Sequence, residues 1–149
     1  MSQYINKADI LTRIELAKLI QLTDDARLGV VNDDAVNSII AGAEGTFDSY
    51  ARLRYSLPVT ATQKVKETCL DLVEYPLVRR RATTKDGILD VKKQAHDAAI
   101  KFCEALSSGK AALDVPAKEE TKENPASGDR VLSGPSKEAT FSDDKLRGF

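Results

Sequence analysis

Between Val36 and Tyr50 the apolar residues Val36, Ile39, Ile40, Ala43, Phe47 and Tyr50 recur at intervals of three and four, one face of an α-helix, and Pro58 soon closes the run. Proline drives the residue before it out of the helical region, so the helix is expected to end by about Tyr55 or Ser56. Asn32 or Asp33 is placed to cap its start, with Asp33 and Asp34 in the first turn at the positive end of the helix dipole. An amphipathic helix of this length needs other helices to cover its stripe. Gly42 and Gly45 lie inside it, each less favourable than Ala by up to about 1 kcal/mol. Either a further segment packs closely on that face, or the helix tolerates them.

The same period governs the rest of the chain up to Gly109. Asn6 can cap a first helix, with Asp9 at its third position. Ile10, Leu11 and Ile14, then Leu16, Leu19, Ile20 and Leu22, predict one bent helix or two short ones broken near Ile14-Glu15. Thr62 can cap a helix from Gln63 to about Arg81, its apolar face made by Val65, Cys69, Leu72, Val73 and Leu77. Pro76 lies within it and predicts a kink or break near Leu72 to Tyr75. A last helix starts at Thr83 or Thr84, or after Gly87, and runs to Ser107 or Ser108. Its expected stripe is Ile88, Val91, Ala95, Ala98, Ala99, Phe102, Cys103 and Leu106, and Gly109 is a C-terminal stop. The fold class is therefore all-α: a compact bundle of four to five helices over residues 1–109. From Lys110 to Phe149 no period lasts, and Pro116, Pro125 and Pro135 punctuate the chain. This is expected to be an extended C-terminal arm that gains order against a partner. Its sparse apolar residues, Val115, Val131, Leu132, Phe141, Leu146 and Phe149, either enter separate pockets of a groove or dot a plain tail.

The charge balance, 22 Lys and Arg against 23 Asp and Glu, excludes a surface that binds nucleic acid all over, because phosphate neutralisation needs clustered excess base. Local patches remain. Arg79, Arg80 and Arg81 either complement the dipole of the helix they end or meet DNA or an acidic partner. With aromatics at 5% and no Trp, the core must be mainly aliphatic. Cys69 and Cys103 sit among apolar helical neighbours, as buried reduced thiols would, which suits a reducing cytosol. No stretch approaches the roughly 20 apolar residues that span a bilayer, and no basic-then-apolar leader opens the chain, so no membrane partner is expected. The acidic loop from Asp24 to Asn32 departs from a calcium loop, because Ala26 and Leu28 occupy ligand positions. His96 has no second His, and no nucleophile with base and orienter, glycine-rich phosphate loop or Cys-Xaa-Xaa-Cys pair is legible. The expectation is a protein without catalytic residues, metal or cofactor.

Several blocks together resemble one family. They are Leu11-Thr12-Arg13 through Leu22-Thr23-Asp24, the acidic Asn32-Asp33-Asp34, and Phe47-Asp48-Ser49-Tyr50 leading to Arg54-Tyr55-Ser56-Leu57-Pro58. Arg79-Arg80-Arg81 and Gly109-Lys110 complete the set. In order and spacing, over roughly Tyr4 to Leu113, this chain resembles the small helical head-to-tail connector (neck, adaptor) proteins of Mu-like phages and prophages. It departs from them at Pro76 and in the length of the arm after Asp114. The resemblance implies a virion protein, made in the host cytoplasm, that forms a homo-oligomeric ring, typically dodecameric, under the portal protein. The ring would extend the channel through which double-stranded DNA passes without sequence-specific contact, and would carry the next neck or tail-completion protein. The arm would reach onto the portal. Ring contacts are heterologous, and the expected faces are Arg52, Arg54, Tyr55, Arg79, Arg80 and Arg81 on one side and Asp24, Asp25, Asp33 and Asp34 on another. The alternative is a small helix-turn-helix-type DNA-binding protein using Arg79 to Arg81. Against it, recognition helices read DNA from their N-terminal ends, and these arginines close their helix.

Overall fold

The computed structural model describes residues 2–81 and 87–119. Among them are five helices and no strand: α1 (Lys7–Leu11), α2 (Leu16–Thr23), α3 (Asp33–Ala51), α4 (Gln63–Arg79) and α5 (Gly87–Ser107). The chain through Lys118 forms one compact unit; all of Glu119–Phe149 but Glu119 itself lies outside the described residues.

The helix starts follow from side-chain caps. Asn6 accepts the Asp9 amide while the Asp9 carboxylate accepts the Asn6 amide, a reciprocal capping box. Asn32 accepts the Ala35 amide at the head of α3, and Thr62 accepts the Val65 amide at the head of α4. The first helical segment is two short helices, separated between Leu11 and Leu16. α3 stops at Ala51, a turn short of the Pro58 limit, and a tight turn carries the chain on to Tyr55. The helix α4 runs unbroken through Pro76, so of the kink or break expected near Leu72 to Tyr75 the break is not there. Complete burial of Val73 and Leu77 on either side of the proline holds the helix in place.

α4 lies at the centre, packed on α5 and α3 and touched by α1 and α2. The core is aliphatic around Phe47, whose ring meets Tyr4 edge-on at 5.5 Å between centroids. Cys69 and Cys103 are free and fully buried, and burial pushes both thiols up, Cys103 to about 11.

The expected α5 stripe needs correcting. Ile88 and Val91 are 60% and 62% exposed, and Ala98 is exposed as well. The face turned inward carries Leu89, Lys92, His96, Ala99, Cys103 and Leu106, which keeps the helical spacing with two polar residues on it. Those two have partners on α4: Lys92 Nζ donates to the buried Glu74 carboxylate, and the His96 ring lies 5.2 Å from that of Tyr75. Gly42 and Gly45 are exposed on α3, and a Cβ at either would meet nothing within 4 Å, so no described part of the chain packs closely there.

Candidate functional site

The residues singled out as contacts fall at the two ends of α3 and at the end of α4. At the C-terminal end of α3, Arg52, Leu53 and Arg54 form the turn that leads to Tyr55. Tyr55 is buried, and its phenolic oxygen accepts the Leu113 amide at 2.9 Å. The Arg54 carbonyl accepts the Lys118 amide at 2.7 Å, and the Arg52 carbonyl accepts Lys118 Nζ at 2.8 Å. A lysine amine on the last carbonyls of a helix offsets both their lost partners and the negative dipole end. Gly109 turns the chain back toward this place with φ of 78°, and the Arg54 guanidinium rests against it. Residues 110–118, assigned from sequence to the arm, thus lie on the helical body, with Leu113 buried and Val115 half-buried against the core. Val131, Leu132, Phe141, Leu146 and Phe149 lie outside the described residues.

The arginine cluster and the acidic loop, expected on separate flanks, meet each other. Arg80 donates through Nε to the Leu22 carbonyl at 3.2 Å and pairs with the Asp25 carboxylate. Arg81 reaches the Asp24 carbonyl and the Asp25 carboxylate, both at 3.0 Å. The end of α4 packs beside the end of α2, so opposite charges meet across the α2–α3 loop. Only Arg79 of the three makes no ion pair or hydrogen bond with a described residue, which weakens the DNA-binding alternative. Asp24 closes its own loop: its carboxylate accepts the Leu28 and Gly29 amides at 2.9 and 2.7 Å, and these hold it below the usual carboxylate range. Asp33 pairs with Lys7 at 2.6 Å, and Asp34 is exposed in the first turn of α3.

Two buried carboxylates were not singled out from the sequence. Glu44, on the buried face of α3, accepts the amides of Gln3, Tyr4 and Ile5 between 2.7 and 3.1 Å. The Tyr4 hydroxyl donates to Asp48 at 2.6 Å and accepts the Val59 amide at 3.2 Å; burial, then the Asp48 bond, raise its pKa. Together these pin the N-terminal segment along α3. Glu74 on α4 ties Lys92 of α5 to Arg13 of the α1–α2 turn, the latter at 3.5 Å. The signal for both was a carboxylate four residues after an apolar one inside an amphipathic stripe: Ile40 then Glu44, Leu70 then Glu74.

A shallow cavity of about 430 Å³ lies against Tyr75, Pro76, Arg79, Arg80 and His96, and another of about 300 Å³ shares Pro76 and His96 with Ile39, Gly42, Thr46 and Leu72. Among the described residues no three His, Cys, Asp or Glu side chains are grouped to hold a metal ion, and no helix is long and apolar enough to cross a membrane.

Comparison with known proteins bears on what these contacts serve. The sequence matches the family described as Bacteriophage Mu, Gp36 over residues 4–131. It is also similar to the Mu-like prophage FluMu protein gp36 of Haemophilus influenzae, 29% identical over 125 residues that cover 83% of this chain and 84% of that relative.

Proposed function

The chain belongs to the bacteriophage Mu Gp36 family, and from that membership we propose that it is a structural protein of phage assembly, a subunit of the head-to-tail connector ring. In this reading copies of the helical body close a ring under the portal, dodecameric as the resemblance implies. The ring continues the DNA channel and offers its far side to the next neck or tail-completion protein. The arm beyond Lys118 fastens to the portal.

One observation carries the reading: the trailing segment is clamped where it leaves the body. Tyr55, Arg54 and Arg52 hold Leu113 and Lys118 at the tip of α3, so the remaining chain departs from a fixed corner of a rigid unit. A ring subunit that reaches a larger partner through a trailing segment needs such a fixed departure point, or binding of that segment would not position the body.

The test is to mix the purified protein with portal-bearing capsids and count subunits at the vertex by electron microscopy. The full chain should form rings there. A chain ending at Lys118 keeps every contact described for the body and should dock much less well. Absence of rings with the full chain overturns the connector reading. Equal docking by the truncated chain removes the arm as anchor.

A further inference from the structure

Two apolar tips stand uncovered at opposite ends of α3, and they carry opposite charge. At the head of the helix, Leu28 and Val30 are 72% and 56% exposed and line a cup of about 280 Å³ bordered by Asp24 and Asp34. At the tail, Leu53 is 67% exposed in the turn beside Arg52. Not all the charge near the cup is available. Asp25 is taken by Arg80 and Arg81, and Asp33 by Lys7. The Asp24 carboxylate accepts backbone amides and has no ion pair among the described residues, though the Arg81 charge lies near it, and Asp34 has no ion pair or hydrogen bond with a described residue. Arg52 likewise has no ion pair among the described residues; its Nε–H reaches only the Asp48 carbonyl at 3.3 Å.

We propose that the Leu53 tip of one copy seats in the Leu28–Val30 cup of a second copy, with Arg52 of the first facing Asp24 and Asp34 of the second. The α3 helix has 19 residues, which at 1.5 Å per residue sets its ends about 28 Å apart. No chain can seat its own tip in its own cup. The contact joins unlike surfaces, so a pair of copies still has one free cup and one free tip between them, and association continues into a ring where the rotation closes. The cup's lining mixes apolar Leu28, Val30 and Val31 with Asp24 and Asp34, and the tip matches it in kind, an exposed leucine beside an arginine. This deepens the ring reading and rests on it for closure; the pairing of tip and cup rests on the exposed side chains themselves.

The test uses the full chain and two substitutions at exposed positions, Leu53→Glu and Leu28→Glu, each checked for an unchanged helical spectrum and melting. Sedimentation velocity from micromolar to millimolar protein should show the native chain associating, more weakly as salt rises. Each variant alone should associate at least about tenfold more weakly, as for the loss of an interface anchor. An equimolar mixture should stop at a one-to-one pair, because the intact cup of one variant accepts the intact tip of the other. Association unchanged in either variant overturns the pairing and leaves the ring reading standing. A mixture that stays monomeric, or a native chain monomeric to millimolar concentration, also overturns the pairing. The ring reading itself then stands or falls by the count of subunits on capsids.

Discussion

The phenolic oxygen of Tyr55 accepts the backbone N–H of Leu113 at 2.9 Å, and both residues are buried. This bond fastens the chain after α5 to the turn after α3. Replacing Tyr55 by Phe keeps the ring and removes the acceptor, leaving a buried amide without a partner. Such a loss costs about 1–2 kcal/mol. The Tyr55→Phe protein should lose that much unfolding free energy, seen as a lower urea midpoint at unchanged m, with faster proteolysis after Lys110 or Lys118. An unchanged midpoint would mean that water replaces the phenol.

Gly109 answers a different demand. Its φ of 78° suits glycine, and a Cβ there would come within 2.0 Å of the Arg54 guanidinium, the far end of a flexible side chain. Gly109→Ala should therefore lose about 1 kcal/mol, chiefly from the backbone conformation. Measured in an Arg54→Ala background, the loss should shrink but persist, because the crowding is relieved and the backbone strain is not. A loss that vanishes in that background would assign the whole effect to Arg54.

Lys92 and Glu74 form the most buried ion pair described, with the Glu74 side chain 4% exposed and that of Lys92 29% exposed. Lys92→Met leaves the carboxylate with Arg13 alone. Removing one partner of a buried pair is costly, and partial hydration of the lysine moderates it, so about 2–3 kcal/mol is expected. Replacing both residues by Met should recover most of that loss. A double variant as unstable as the single one would show that packing, not the stranded charge, sets the cost.

The loop carboxylate of Asp24 predicts a pH effect. Its folded pKa lies below the ordinary value, held there by the Leu28 and Gly29 amides. The stability it contributes is fully present above the unfolded value of about 3.9 and is lost as pH falls through the lower folded value. Denaturation of native protein and Asp24→Asn between pH 2 and pH 6 should show a difference that is constant above about pH 5 and shrinks below it. A difference flat across the range would assign the loop to its backbone alone.

How far the sequence discloses this molecule depends on the kind of residue involved. Local chemistry was legible: Asn6, Asn32 and Thr62 cap the helices they were expected to cap, because capping involves neighbours within three residues. The face of α5 was misread because Lys92 and His96 occupy inward positions, and a rule that seeks apolar side chains passes over an inward lysine with a carboxylate waiting for it. The meeting of Asp25 with Arg80 and Arg81 was not legible either. It spans more than 50 residues of chain, and nothing in either segment specifies the packing of α2 against the end of α4. The return of residues 110–118 onto Tyr55 leaves still less trace, since a backbone amide makes the contact and any residue type supplies one.

The clasp of Lys118 on the Arg52 and Arg54 carbonyls also fixes a load path. Tension applied to the trailing residues enters the body at the tip of α3 before it can peel the turn at Gly109 or unravel α5. A subunit pulled from its tail would therefore load the two Lys118 bonds at the end of α3 first, and the last helix would be spared until that grip had failed.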